Sequence, residues 1–60
     1  MTLEELTANV GNHFIKERHG QRTEVVLEEV RKNKVLLRIP DRKDGFRETV
    51  ADFTKYYRPK

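Results

Sequence analysis

The stretch from His19 to Ile39, HGQRTEVVLEEVRKNKVLLRI, decides the fold. Its apolar residues gather in short runs, Val25-Val26-Leu27 and Val35-Leu36-Leu37, each bounded by residues that turn a chain. Such runs read as strands rather than helices. Gly20 supplies the positive φ that a tight turn needs, so HFIKER before it and QRTEVVLEEV after it form a hairpin. A second turn over Arg31–Lys34 leads into KVLLRI, with Asn33 as the left-handed residue. The pair Glu28-Glu29 can hold a bulge that switches VVLEEV between faces.

Working outward, PDRKDG closes a third hairpin. Pro40 cannot donate to a ladder, and Asp44-Gly45 turns the chain into FRETV. With tight turns, Val30 faces Val35, Glu28 faces Leu37 and Val26 faces Ile39. Ile39 then faces Phe46, Val35 faces Val50, and Arg38 faces Arg47. One face collects Val26, Val30, Val35, Leu37, Ile39, Phe46 and Val50. Val25, Leu27, Leu36 and Phe14 lie on the other, and are buried if the sheet bends into a small barrel or is covered by a helix.

Thr2-Leu3-Glu4-Glu5 matches a capping box at the other end of the chain. It predicts a helix over residues 3–10, with Leu3, Leu6 and Val10 on one stripe and Gly11 ending it. In the tail ADFTKYYRPK, Asp52 caps a helical turn and Phe53 plugs the open end of the barrel, with one tyrosine buried and one exposed. The expected architecture is one domain over residues 1–60. It is mainly β, an antiparallel meander of four or five strands closing over residues 12–57, with one short N-terminal helix.

Composition bounds the function. Sixty residues bury only about 60% of the surface their unfolded chain exposes, so stability is modest. Neither cysteine nor serine occurs, which removes disulfides, thiolate metal sites and the commonest nucleophiles. His13 and His19 are the only near-neutral bases, with no acid at a revealing spacing and no HEXXH or EF-hand pattern. No enzyme, cofactor or metal site is expected. No apolar run approaches the roughly 18 residues of a membrane span, and the acidic start is unlike a signal peptide. A soluble cytoplasmic protein is expected, a monomer or weak homodimer.

Charge is the functional lead. Residues 11–60 carry all 13 Lys and Arg against eight acids. A basic body points to a polyanion. Arg38 and Arg47, as direct cross-strand neighbours, would repel unless an anion lay between them. Arg42 and Lys43 adjoin them in the loop, completing a row that could follow a phosphate backbone. Tyr56 and Arg58 mix an aromatic with a base, as single-strand binders do. The nucleic-acid reading therefore names Arg38, Arg42, Lys43, Arg47, Tyr56 and Arg58. The alternative is a protein-interaction or self-associating module that uses the acidic helix, with Leu3 and Leu6, and an exposed strand edge.

Gly11-x-x-Phe14, Gly20, Val25-Val26-Leu27, Val35 and the closing Phe53-x-x-x-Tyr57 carry a resemblance over residues 11–57. In these the chain resembles a small SH3-like barrel of the KOW and Tudor type. It is also similar to short uncharacterised proteins of temperate bacteriophages. The resemblance implies a closed barrel and, through KOW-type relatives, binding to RNA or ribosome-associated machinery. The converging aromatics of a Tudor-type cage are not present in the sequence.

Overall fold

In the computed structural model, which describes residues 2–60, the first helix begins as its sequence dictates. The Thr2 hydroxyl accepts from the Glu5 N–H at 3.2 Å, and the Glu5 carboxylate accepts from the Thr2 N–H at 3.2 Å. This capping box starts α1, Leu3–Ala8, which is six residues long and too short to persist unaided. What holds it is Leu6, fully buried against the sheet. The expected stripe is narrower than its spacing suggested, because Leu3 and Val10 are 45% and 43% exposed. Asn9, not Gly11, caps the C-terminus. Gly11 takes φ +92 two residues later, where its N–H donates to the Leu27 carbonyl at 2.7 Å. That glycine docks the connection onto the sheet.

Five antiparallel strands follow: β1 (His13–Arg18), β2 (Gln21–Val30), β3 (Lys34–Arg38), β4 (Gly45–Thr49) and β5 (Tyr57–Pro59). A second helix, α2 (Val50–Tyr56), lies between β4 and β5. The strand order is β4-β3-β2-β1-β5, a meander whose last strand returns to pair with β1. The turn between β1 and β2 holds both His19 and Gly20 at positive φ, +53 and +76. That conformation suits the twist of a two-residue hairpin. Asn33 is not left-handed; the second turn closes by Arg31 N–H donating to the Lys34 carbonyl at 2.7 Å. β4 and β5 do not pair with each other, so the sheet is open. Helix α2 packs against β1, β3, β4 and β5 in the gap between the edges.

The bulge falls where the two glutamates allow it. Leu27 faces Leu37, Glu29 faces Leu36, and Glu28 is the extra residue. Before the bulge Val25 and Leu27 point inward; after it Val30, opposite Val35, points inward again. The core thus gathers Leu6, Phe14, Val25, Leu27, Val35, Leu37, Phe53 and Tyr57. This corrects the expected division of faces. Val26 faces Arg38 rather than Ile39, on the outer surface, while Val25, Leu27 and Phe14 are in the core.

The third hairpin differs from the tight-turn expectation by two residues. Leu37, not Ile39, faces Phe46, and Val35 faces Glu48. Val50 is not in the strand at all, because Thr49 accepts from the Asp52 N–H at 3.1 Å and starts α2 there. Asp52 therefore sits inside the helix it was expected to cap. Gly45 permits the register: a Cβ on it would lie 2.8 Å from the Leu37 carbonyl oxygen, closer than real contacts allow.

The outer face is unusual in having buried apolar residues of its own. Ile15 and Val26 are 3% and 7% exposed yet lie outside the core cluster. Ile15 lies in register between Glu24 and Arg58, and Val26 between His13 and Arg38. Long charged side chains cover apolar surface with their stems while their heads stay in water. Ion pairs Arg38–Glu28, Arg58–Glu17 and Lys60–Glu24 hold those heads in place.

Candidate nucleic-acid interface

The structure divides the six expected site residues. Arg38 and Arg47 are not direct cross-strand partners: Arg38 faces Gly45, and Arg47 faces Leu36. They share the outer face as diagonal neighbours, about 7–8 Å apart. Arg38 is also engaged already. Its guanidinium donates to the Glu28 carboxylate and, at 3.4 Å, to the Pro40 carbonyl. The bulge that sets the core register also places Glu28 within reach of Arg38.

Arg42 and Lys43 lie exposed in the loop over residues 39–44, flanked by Asp41 and Asp44. Two bases and two acids leave that loop with no net charge of its own. Arg58, on edge strand β5, donates to the Glu17 carboxylate. Tyr56 closes α2 and is half-buried.

Around Tyr56 the structure assembles something the sequence did not advertise. Lys16 Nζ, Arg18 Cζ and Lys55 Nζ lie over its ring at 5.8, 5.3 and 5.3 Å from the centroid. Lys16 Nζ also stands 5.5 Å from the Tyr57 ring. Among the described residues none of these three cations has a carboxylate within ion-pair distance, in contrast to Arg38 and Arg58. Their register neighbours do not compensate them either, since Lys16 faces Thr23 and Tyr57 while Arg18 faces Gln21. Lys16 and Arg18 were missed, although a signal existed. They alternate with Phe14 along HFIKER, so a strand there puts all three on one face.

Packing fixes the ring at the centre of this group. Phe53 is 1% exposed, meets Phe14 edge-on at 4.9 Å and stacks on Tyr57 at 5.1 Å. Those contacts anchor α2, and Tyr56 sits three residues on, at the helix surface beside them. Burial, helped by the Glu48 charge, pushes the Tyr57 phenol up to about 12, so that ring remains neutral and structural. An aromatic face attracts cations, and cations without acid partners attract phosphates. The arrangement gathers three cations without acid partners around one aromatic ring.

On the opposite side of the sheet, Glu24 is shared. His13 Nδ1 lies 2.5 Å from one carboxylate oxygen, and Lys60 Nζ donates to the other at 2.9 Å. These hydrogen bonds, that of Lys60 first, hold the Glu24 carboxyl below its ordinary value. Among the described residues no group of three or more His, Asp or Glu side chains is gathered as metal ligands require. No helix among them is long and apolar enough to cross a membrane. No protein-family model matches the chain, and neither does any curated protein or solved structure.

Proposed function

We propose that this chain is a small, non-enzymatic nucleic-acid-binding module that grips phosphates through Lys16, Arg18 and Lys55 around Tyr56. The observation that carries the reading is three unpaired cations over one aromatic ring. The bases first expected do not join this surface: Arg47 stands on the outer face, Arg38 and Arg58 are held by Glu28 and Glu17, and Arg42 and Lys43 are offset by Asp41 and Asp44. Single strands, whose phosphates and bases are both accessible, are the partner favoured, with Tyr56 holding the cations in place. An SH3-like barrel of the KOW and Tudor type is the finer architectural proposal, supported by the strand order and by α2 between the two edges. A reducing, cytoplasmic setting belongs to the same proposal, supported by the lack of cysteine.

The test is fluorescence anisotropy with labelled single-stranded DNA, RNA and duplex DNA at about 50 and about 200 mM salt. Three phosphate contacts on a single strand predict an affinity loss of about 20-fold over that range. Lys16→Ala and Arg18→Ala should each weaken binding and flatten the slope. Absence of binding at the lower salt, or binding indifferent to both substitutions, overturns the proposal. The protein-interaction reading rests on exposed Leu3 and Val10 beside α1 and on Phe46, 37% exposed, in edge strand β4. Leu6 cannot report on it, because removing a fully buried side chain tests the core instead.

A further inference from the structure

Three cations outside the Tyr56 group also fall together. Lys34 and Leu36 alternate with the core residues Val35 and Leu37, so they face outward, and Arg47 joins them opposite Leu36. The turn that pairs Arg31 with Lys34 brings a third base to the same place. Arg31, Lys34 and Arg47, with Asn33 and Leu36, line one hollow of about 520 Å³. Among the described residues the only acid engaged there is Glu29, 3.4 Å from Arg31, with both side chains more than half exposed. Such a pair contributes little. Lys34 and Arg47 have no carboxylate partner among the described residues. Like charges grouped around Leu36 repel unless an anion lies among them.

This hollow cannot serve the segment held at Tyr56. Lys16 and Arg18 share the inner face of β1 with Phe14, whereas Lys34 and Arg47 stand on the outer face of β3 and β4. β2 lies between β1 and β3, which are therefore about 10 Å apart, and the sheet itself separates the faces. The molecule measures only 29 × 24 × 17 Å, so the two clusters occupy opposite sides of a thin body.

We propose that the Arg31–Lys34–Arg47 hollow is a second phosphate-binding site, and that one chain holds two nucleic-acid segments at once and bridges them. This rests on the nucleic-acid reading of the Tyr56 cluster. The probe is oligothymidylate of about six nucleotides, near the short end of single-domain site sizes and unable to pair with itself. One pool carries a donor dye and a second an acceptor. At about 50 mM salt, adding the protein should produce energy transfer, and sedimentation should show two oligonucleotides on one chain. Lys34→Glu with Arg47→Glu should abolish the transfer and halve the stoichiometry. The remaining site should still take one oligonucleotide, with weaker affinity because reversing two charges nearby lowers the potential of the whole molecule at this salt. Saturation at one oligonucleotide per wild-type chain overturns bridging and leaves the first site standing. So does a complex of two chains with two oligonucleotides, or transfer that survives the double substitution. If the wild type binds no oligonucleotide, both proposals fall together.

Discussion

Removing the Phe53 ring should expose how much of this small fold depends on one side chain. Phe53 is buried to 1% and touches Phe14 at 4.9 Å and Tyr57 at 5.1 Å. Truncating such a residue to alanine costs about 3–5 kcal/mol. A domain of this length has about 3–9 kcal/mol in total, at about 0.05–0.15 kcal/mol per residue. Phe53→Ala should therefore leave much of the population unfolded. Phe53→Leu is the more informative change. It keeps an apolar group in place but loses two aromatic contacts worth about 0.5–1.5 kcal/mol each, so about 1–3 kcal/mol should go. With a urea slope near 1 kcal/mol per molar, the midpoint followed by circular dichroism should fall by about 1–3 M. Leu3→Ala, at a site 45% exposed, should move it by less than about 0.5 M. If Phe53→Leu matches the wild type, then α2 is not held by its aromatic anchor. The placement of Tyr56 would then need another explanation.

Two further outcomes test the register and the outer face. Gly45→Ala puts a Cβ 2.8 Å from the Leu37 carbonyl oxygen, so backbone must shift, at about 1–3 kcal/mol in urea melts; unchanged stability would refute the register of β3 with β4. Glu24 has a lowered folded-state pKa, so its stabilising contribution is present above the unfolded value of 4.5 and is lost as pH falls through the folded one. In acid titrations read by circular dichroism, Glu24→Gln should be less stable than wild type at neutral pH, with the difference shrinking below about pH 4.5; parallel curves would show that Lys60 and His13 do not act through that carboxylate.

Much of this architecture was legible because local chemistry determines it. The Thr2–Glu5 box, the turn at His19-Gly20 and the bulge at the glutamate pair are each specified by a few adjacent residues. What escaped is register. Ile39 opposite Phe46 and Leu37 opposite Phe46 differ by a slip of two residues, and a two-residue slip returns every side chain to the same face. Hydrophobic alternation is blind to that choice. Only the loop over residues 39–44 and the close approach at Gly45 settle it. In β2 the difficulty was the reverse. Val25, Val26 and Leu27 are all apolar, so the pattern did not say which of them the single added residue would turn inward.

The site followed the same logic one level up. Counting bases in the sequence locates charge along the chain, but potential at the surface depends on which bases find acids. Glu17, Glu24, Glu28 and Glu29 each take a base, and the bases they take are Arg58, Lys60, Arg38 and Arg31. Two of the six residues first expected to bind a polyanion are thereby occupied, and the loop bases Arg42 and Lys43 are offset by Asp41 and Asp44. The outer-face ion pairs flank the buried Ile15 and Val26 in register, where long charged side chains can cover apolar surface with their stems. Positive potential survives where strand alternation gives lysines and arginines only neutral neighbours. Lys16 and Arg18 face Thr23 and Gln21; Lys34 and Arg47 face Thr49 and Leu36. These two groups stand on opposite faces of the sheet, the separation that the proposed bridging requires.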